Sequence, residues 1–233
     1  MAELATKTTP IVPLDVPTAA DAIELVEYLG DTCRFYKVGN ELFTAAGPGM
    51  VTELRSRGKD VFLDLKFHDI PNTVAGGVRN AAALGAKLVT VHATGGVPML
   101  RAAVDAAGSK CGVLAVTVLT SLTADEIGHA WGRGAVNVSD EVLRLAGLAA
   151  EAGAHGIVCS GKEAGLVREQ FGDRLAVLVP GVRAAGGATQ DQARVVTPQQ
   201  AVESGARYII AGRMITAAAD RRSAMQRLLA ELE

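Results

Sequence analysis

The chain carries eight short runs of β-branched and other apolar residues, spaced along its whole length. They are IVPLD (11–15), FYKV (35–38), DVFLDL (60–65), LVTVH (88–92), GVLAVTV (112–118), GIVCS (156–160), AVLVP (176–180) and YIIAG (208–212). Most are nearly continuous in hydrophobicity, as strands are when both faces are buried. Stretches of helical period lie between them, among them Ala19–Leu29, Met50–Arg57, Asn72–Leu84, Asp140–Ala152, Pro198–Ser204 and Ala217–Leu232. Strands alternating with helices demand a parallel sheet joined by crossover helices. That leaves an open doubly wound sheet or a closed (β/α)8 TIM barrel. Eight strands, 233 residues and the lack of a GxGxxG after the first strand favour the barrel. No Pro/Gly/Ser-rich linker divides the chain, so one α/β domain is expected over 1–233, with its core at about 11–232.

Charge and composition exclude several classes of function. The balance of 23 basic and 25 acidic residues gives a net charge of −2 with no block of like charge. A dedicated binder of nucleic acid or an anionic membrane surface would normally be basic. The longest stretch free of charged residues, Cys111–Ala124, is too short to cross a bilayer as a helix, and the first ten residues lack a signal-peptide core. Cys33, Cys111 and Cys159 are widely spaced and odd in number, which suits neither a disulfide framework nor a metal site. A soluble cytoplasmic protein with reduced thiols packed as core is the expectation.

In a barrel, chemistry collects at the C-terminal ends of the strands. Here those ends carry Asp15, Lys37, Asp64, Lys66, His92, Thr117, Thr120, Arg183, Gly212 and Arg213. One charge after a strand is ordinarily a solvated loop residue; polar groups at so many strand ends are harder to explain that way. The segment VFLDLKFHDIPNT (61–73) is the densest. Strand alternation puts Asp64, Lys66 and His68 on one face, and Pro71 can open a helix, where its missing N–H costs nothing. An Asp and a Lys two apart on one face can interact directly. A structural ion pair is one explanation, but a buried pair is a poor source of stability, so use by a ligand explains it better. Near the other end of the chain, the loop opened by Pro180–Arg183 contains Gly186 and Gly187, and Gly212–Arg213 close the last strand. Barrels often hold phosphate at the loops after strands seven and eight, with close backbone approach at glycine and the guanidinium fork of arginine. His68, His129 and His155 lack metal-ligand partners in the sequence and suit surface or packing roles; His92 suits a packing role or a site role equally.

Taken together these residues resemble the orotidine 5′-phosphate decarboxylase family, in its bacterial form. The motif D-x-K-x-x-D-I-x-N-T stands at 64–73, and LDV, KVGNELF, VHATGG, TVLTS, PGVR, DQARVVTP and AGR follow the family's order between about 11 and 216. Pro13 and Met214 depart from residues common at those positions. The resemblance implies a homodimeric barrel that needs no cofactor and converts orotidine 5′-phosphate to UMP and CO2. It implies that Lys66 delivers a proton to C6 of the pyrimidine and that Asp64 faces the substrate carboxylate. Lys37 and Asp15 would bind ribose, with Lys37 completing the charged network, and Thr120 would touch the pyrimidine. Arg183, Gln192, Gly212 and Arg213 would hold the phosphate, Gln192 from a mobile loop. Asp69 and Thr73 would act in the partner subunit's site. The rival enzymatic reading is a magnesium-dependent sugar-phosphate barrel sharing the D-x-K-x-x-D core. A non-catalytic nucleotide binder is the other alternative, and the intact Asp64, Lys66 and Asp69 set argues against it.

Overall fold

In a computed structural model, which describes residues 7–183 and 195–232, the eight apolar runs form eight strands. They are β1 (Thr9–Pro13), β2 (Phe35–Gly39), β3 (Asp60–Phe67), β4 (Leu88–His92), β5 (Gly112–Val116), β6 (Gly156–Val158), β7 (Ala176–Val179) and β8 (Tyr208–Ile210). Each pairs in parallel with its sequence neighbour, and β8 returns to β1 to close the barrel. Closure leaves no edge strand exposed.

Two hydrophobic layers follow from strand alternation. Ile11, Phe35, Phe62, Leu88, Leu114, Leu178, Tyr208 and Ile210 form one buried cluster, which fills the barrel. Residues offset by one, such as Val12, Tyr36, Leu63, Val89, Ile157 and Ile209, belong to the larger cluster between the sheet and its helical jacket. The jacket comprises α1 (Ala19–Leu29), α2 (Asn40–Ala46), α3 (Gly49–Ser56), α4 (Pro71–Ala83), α5 (Gly96–Ala107), α6 (Ala124–Ala130), α7 (Val138–Glu151), α8 (Gly161–Phe171), α9 (Pro198–Glu203), α10 (Arg213–Thr216) and α11 (Arg221–Glu231). Local chemistry sets many of the starts. Pro71 stands at the beginning of α4. Thr123 and Glu126 close a reciprocal capping box at α6, as do Thr197 and Gln200 at α9. Among the described residues, no helix is long and apolar enough to cross a membrane.

The structure corrects the expected elements in three places. Several strands stop short of their apolar runs: β1 ends at Pro13, β5 at Val116 and β8 at Ile210. Asp15, Thr120 and Gly212 therefore stand just past the strands, where the chain leaves the ladder to line the mouth. The expected final helix, Ala217–Leu232, starts four residues late, at Arg221, where Asp220 caps it by accepting the N–H of Ser223 at 2.9 Å. The even alternation expected for 61–68 also breaks. Pairing of β3 with β4 jumps from Leu63↔Val89 to Phe67↔Val91, so four steps along β3 meet two along β4. Lys66 sits in this bulge at φ 51°, and among the described residues it is the one non-glycine residue with positive φ.

Candidate active site

A cavity of about 580 Å3 opens at the C-terminal mouth of the barrel. Asp15, Lys37, Asp64, Lys66, Thr120, Arg183, Gly212 and Arg213 all line it, so the structure brings together eight of the residues singled out in the sequence. Its apolar lining includes Phe62, Val116, Val158, Leu178 and Ile210, the upper layer of the barrel's filling. The charged lining residues are four cations and two carboxylates, a local excess of two positive charges on a chain of net charge −2.

The four charges nearest the floor alternate in sign. Lys37 Nζ lies 2.7 Å from Asp15 Oδ1 and 3.9 Å from Asp64 Oδ2. Lys66 Nζ lies 3.0 Å from each Asp64 oxygen. Asp64 and Lys37 keep only 13% and 12% of their side-chain exposure, against 59% for Asp15. The inner pair is therefore poorly screened, whereas the Asp15 contact is open to solvent and screened more strongly. Asp64 has another partner, the Thr90 hydroxyl, at 2.9 Å from Oδ1.

Arg183 and Arg213 approach the cavity from the loop after β7 and the turn after β8. Arg183 Nη1 also donates to the Val182 carbonyl at 2.9 Å. Gln192 lies outside the described residues. Pro13 lines the same side and packs near Gly212, so this departure from the common pattern forms part of the wall.

Asp69 and Thr73 do not line the cavity. Both are exposed at the turn into α4, where the Asp69 carboxylate accepts the N–H of Ile70 at 2.6 Å. Beside them Ile70 is 66% exposed. Thr117 is not a mouth residue either, since its hydroxyl donates to the Val158 carbonyl at 2.8 Å and it is buried. His92 is half-buried, with its ring 5.4 Å from that of His68. Burial first, then the nearby His68 and Lys66, hold its pKa below the ordinary histidine value, against an opposing pull from Asp64. Cys33, Cys111 and Cys159 are buried and form no disulfide, and burial pushes the Cys111 thiol up to about 11. They pack the core, as expected. Among the described residues, no group of three or more His, Cys, Asp or Glu side chains could hold a metal ion.

Two residues of this site carried no sequence signal. Thr90 is buried between strands, and Gly39 follows Lys37 on the same face of β2. A Cβ at Gly39 would stand 2.9 Å from Lys37 Nζ and 3.3 Å from Asp15 Oδ1.

The sequence profile described as the Orotidine 5'-phosphate decarboxylase / HUMPS family matches residues 8–228. The chain belongs to this family. Relatives named orotidine 5'-phosphate decarboxylase include one from Halorhodospira halophila, 49% identical over 228 residues, covering 95% of this chain and 94% of that protein. One from Anaeromyxobacter dehalogenans is 50% identical over 222 residues, covering 94% of this chain and 96% of the other. The crystal structure of orotidine 5'-phosphate decarboxylase from Lactobacillus acidophilus superposes with a TM-score of 0.86 at 36% identity, covering 97% of this chain and 99% of that one. Membership at this coverage extends to the whole barrel, mouth included.

Proposed function

We propose that this protein decarboxylates orotidine 5′-phosphate to UMP and CO2, the last step of UMP synthesis, and that Lys66 is the proton donor. The observation that carries this reading is the alternating row Asp15, Lys37, Asp64, Lys66 in a cavity that Arg183 and Arg213 also line. The charged row and the arginines suit the two charged parts of the substrate, a carboxylated ring and a phosphate.

The reaction breaks the bond between C6 and the carboxyl carbon. CO2 leaves, the electron pair remains on C6, and a proton from Nζ of Lys66 is transferred to that carbon; the amine then recovers a proton from solvent. The pair on C6 lies in the ring plane and cannot spread into the π system. It has to be stabilised by fixed charge close by, an effect that is large where water is excluded. Asp64 holds the Lys66 ammonium in place. It also stands near the departing carboxylate, whose like charge is relieved as CO2 forms; this ground-state effect ranks second to the electrostatic one.

The remaining roles divide by position. Lys37 and Asp15 bind ribose, and Thr120 touches the pyrimidine. Arg183, Gln192, Gly212 and Arg213 hold the phosphate. Asp69 and Thr73, outside their own chain's cavity, serve the site of a second subunit in a homodimer. Enzymes lower barriers by roughly 8–23 kcal/mol, more than one ammonium supplies, so phosphate binding must contribute by closing the loop over the base. The reaction calls for no cofactor, and the protein acts in the cytoplasm.

Absorbance change on adding orotidine 5′-phosphate to purified protein with EDTA tests the reading. Turnover is expected, and its abolition by EDTA would favour a magnesium-dependent sugar-phosphate enzyme instead. Lys66→Ala should lose nearly all turnover while UMP binding stays measurable; near-normal turnover would overturn the assignment of Lys66.

A further inference from the structure

We propose that Thr90, on β4, is a positioning residue that fixes both the carboxylate of Asp64 and the backbone of Lys66. This rests on the reading of Lys66 as proton donor. The Thr90 hydroxyl accepts the Lys66 N–H at 2.9 Å and donates its hydrogen to Asp64 Oδ1 at 2.9 Å. One hydroxyl thus binds the two residues of the ion pair, using its hydrogen for one and a lone pair for the other. Thr90 is fully buried, so water has poor access to replace it.

Its position gives the contact its purpose. Lys66 occupies the left-handed region at φ 51° inside the β3 bulge, a conformation that L-residues avoid unless the surroundings hold them there. Its N–H, displaced from even ladder pairing, is taken up by Thr90. Asp64 Oδ1 accepts from Thr90 and from Lys66 Nζ at once. Without the hydroxyl the carboxylate can turn about its last torsion and the bulge can relax. Either movement carries the ammonium off its line to the reacting carbon, whereas Arg183 and Arg213 are left where they stand.

The test compares Thr90→Val, which keeps the shape and removes the hydroxyl, with Thr90→Ser, which keeps the hydroxyl. A misplacement of about 1 Å at a reacting centre can cost roughly 100-fold. Thr90→Val should therefore lower kcat by roughly 10- to 100-fold while the UMP dissociation constant stays within about twofold. Thr90→Ser should return kcat to within about threefold of the parent protein. A Thr90→Val kcat within twofold of the parent, or a Thr90→Ser variant as slow as Thr90→Val, would overturn the proposal. Should Thr90→Val fail to fold, Thr90→Ser is compared with Thr90→Ala, which differs from it by a single oxygen; equal kcat in that pair overturns the proposal equally. A parent protein without decarboxylase activity would sink the proposed function itself, whereas an active parent with an equally active Thr90→Val sinks only this inference.

Discussion

Replacing Gly39 with alanine should damage activity without damaging the fold. Gly39 has φ −96°, ordinary extended backbone that alanine adopts without strain. The change also removes conformational freedom from the unfolded chain, which at a compatible site stabilises by about 0.4–1 kcal/mol. The added methyl would meet Lys37 Nζ at 2.9 Å, so the ammonium must retreat about half an ångström to reach ordinary contact. That retreat acts on the 2.7 Å bond to Asp15 and on the 3.9 Å approach to Asp64. A hydrogen bond to a charged group contributes about 1.5–3 kcal/mol, and the exposure of Asp15 lets water recover part of it. A loss of about 1–2 kcal/mol remains, or 5- to 30-fold in kcat/KM. The assay pairs steady-state turnover of orotidine 5′-phosphate with a thermal melt. A kcat/KM within twofold of the parent, or a melting temperature lowered by several degrees, would refute the reasoning.

Arg213→Ala should weaken binding of the phosphorylated nucleotide and loop closure, lowering kcat/KM; an unchanged kcat/KM counts against a phosphate role. If Asp69 acts across a dimer, mixing inactive Lys66→Ala with inactive Asp69→Ala should restore roughly a quarter of parental activity, because each mixed dimer rebuilds one intact site. Failure of mixed, refolded subunits to recover any activity refutes the sharing. The lowered pKa of His92 means that the unfolded chain binds a proton more readily than the fold does. Stability from this group is complete above about 6.5 and is lost as pH falls through the lower folded value. Urea midpoints should decline below pH 6.5, and His92→Gln should flatten the decline; an identical slope in the variant removes His92 as its cause.

Much of the fold was legible because strands buried on both faces announce themselves as apolar runs. Helix α1 falls on Ala19–Leu29 as read from its period. The run ends misled, because a residue such as Val118 is apolar for a different reason: it lines the mouth. The charged residues of the site were legible from their improbable place after hydrophobic strands. Thr90 and Gly39 were not. The contacts of Thr90 join residues 24 and 26 positions apart, and a lone Thr in LVTVH reads only as a good strand former. Gly39 matters through two side-chain ends that meet only once β1 and β2 are paired. Nor could local pattern reveal that a lysine would take a left-handed backbone in a bulge, since nothing about the residue type favours it.

The hydrocarbon filling beneath the charged floor has an electrostatic consequence. Asp15 and Asp64 offset Lys37 and Lys66, so the excess positive charge is that of Arg183 and Arg213, and its field spreads less readily into Phe62, Leu178 and Ile210 than out through the opening. The barrel therefore behaves as a one-sided lens: a molecule repulsive to anions at long range turns attractive along a single axis. A phosphorylated acid would be captured and oriented by that axis before touching any side chain, and added salt would blunt the capture before it disturbed the chemistry.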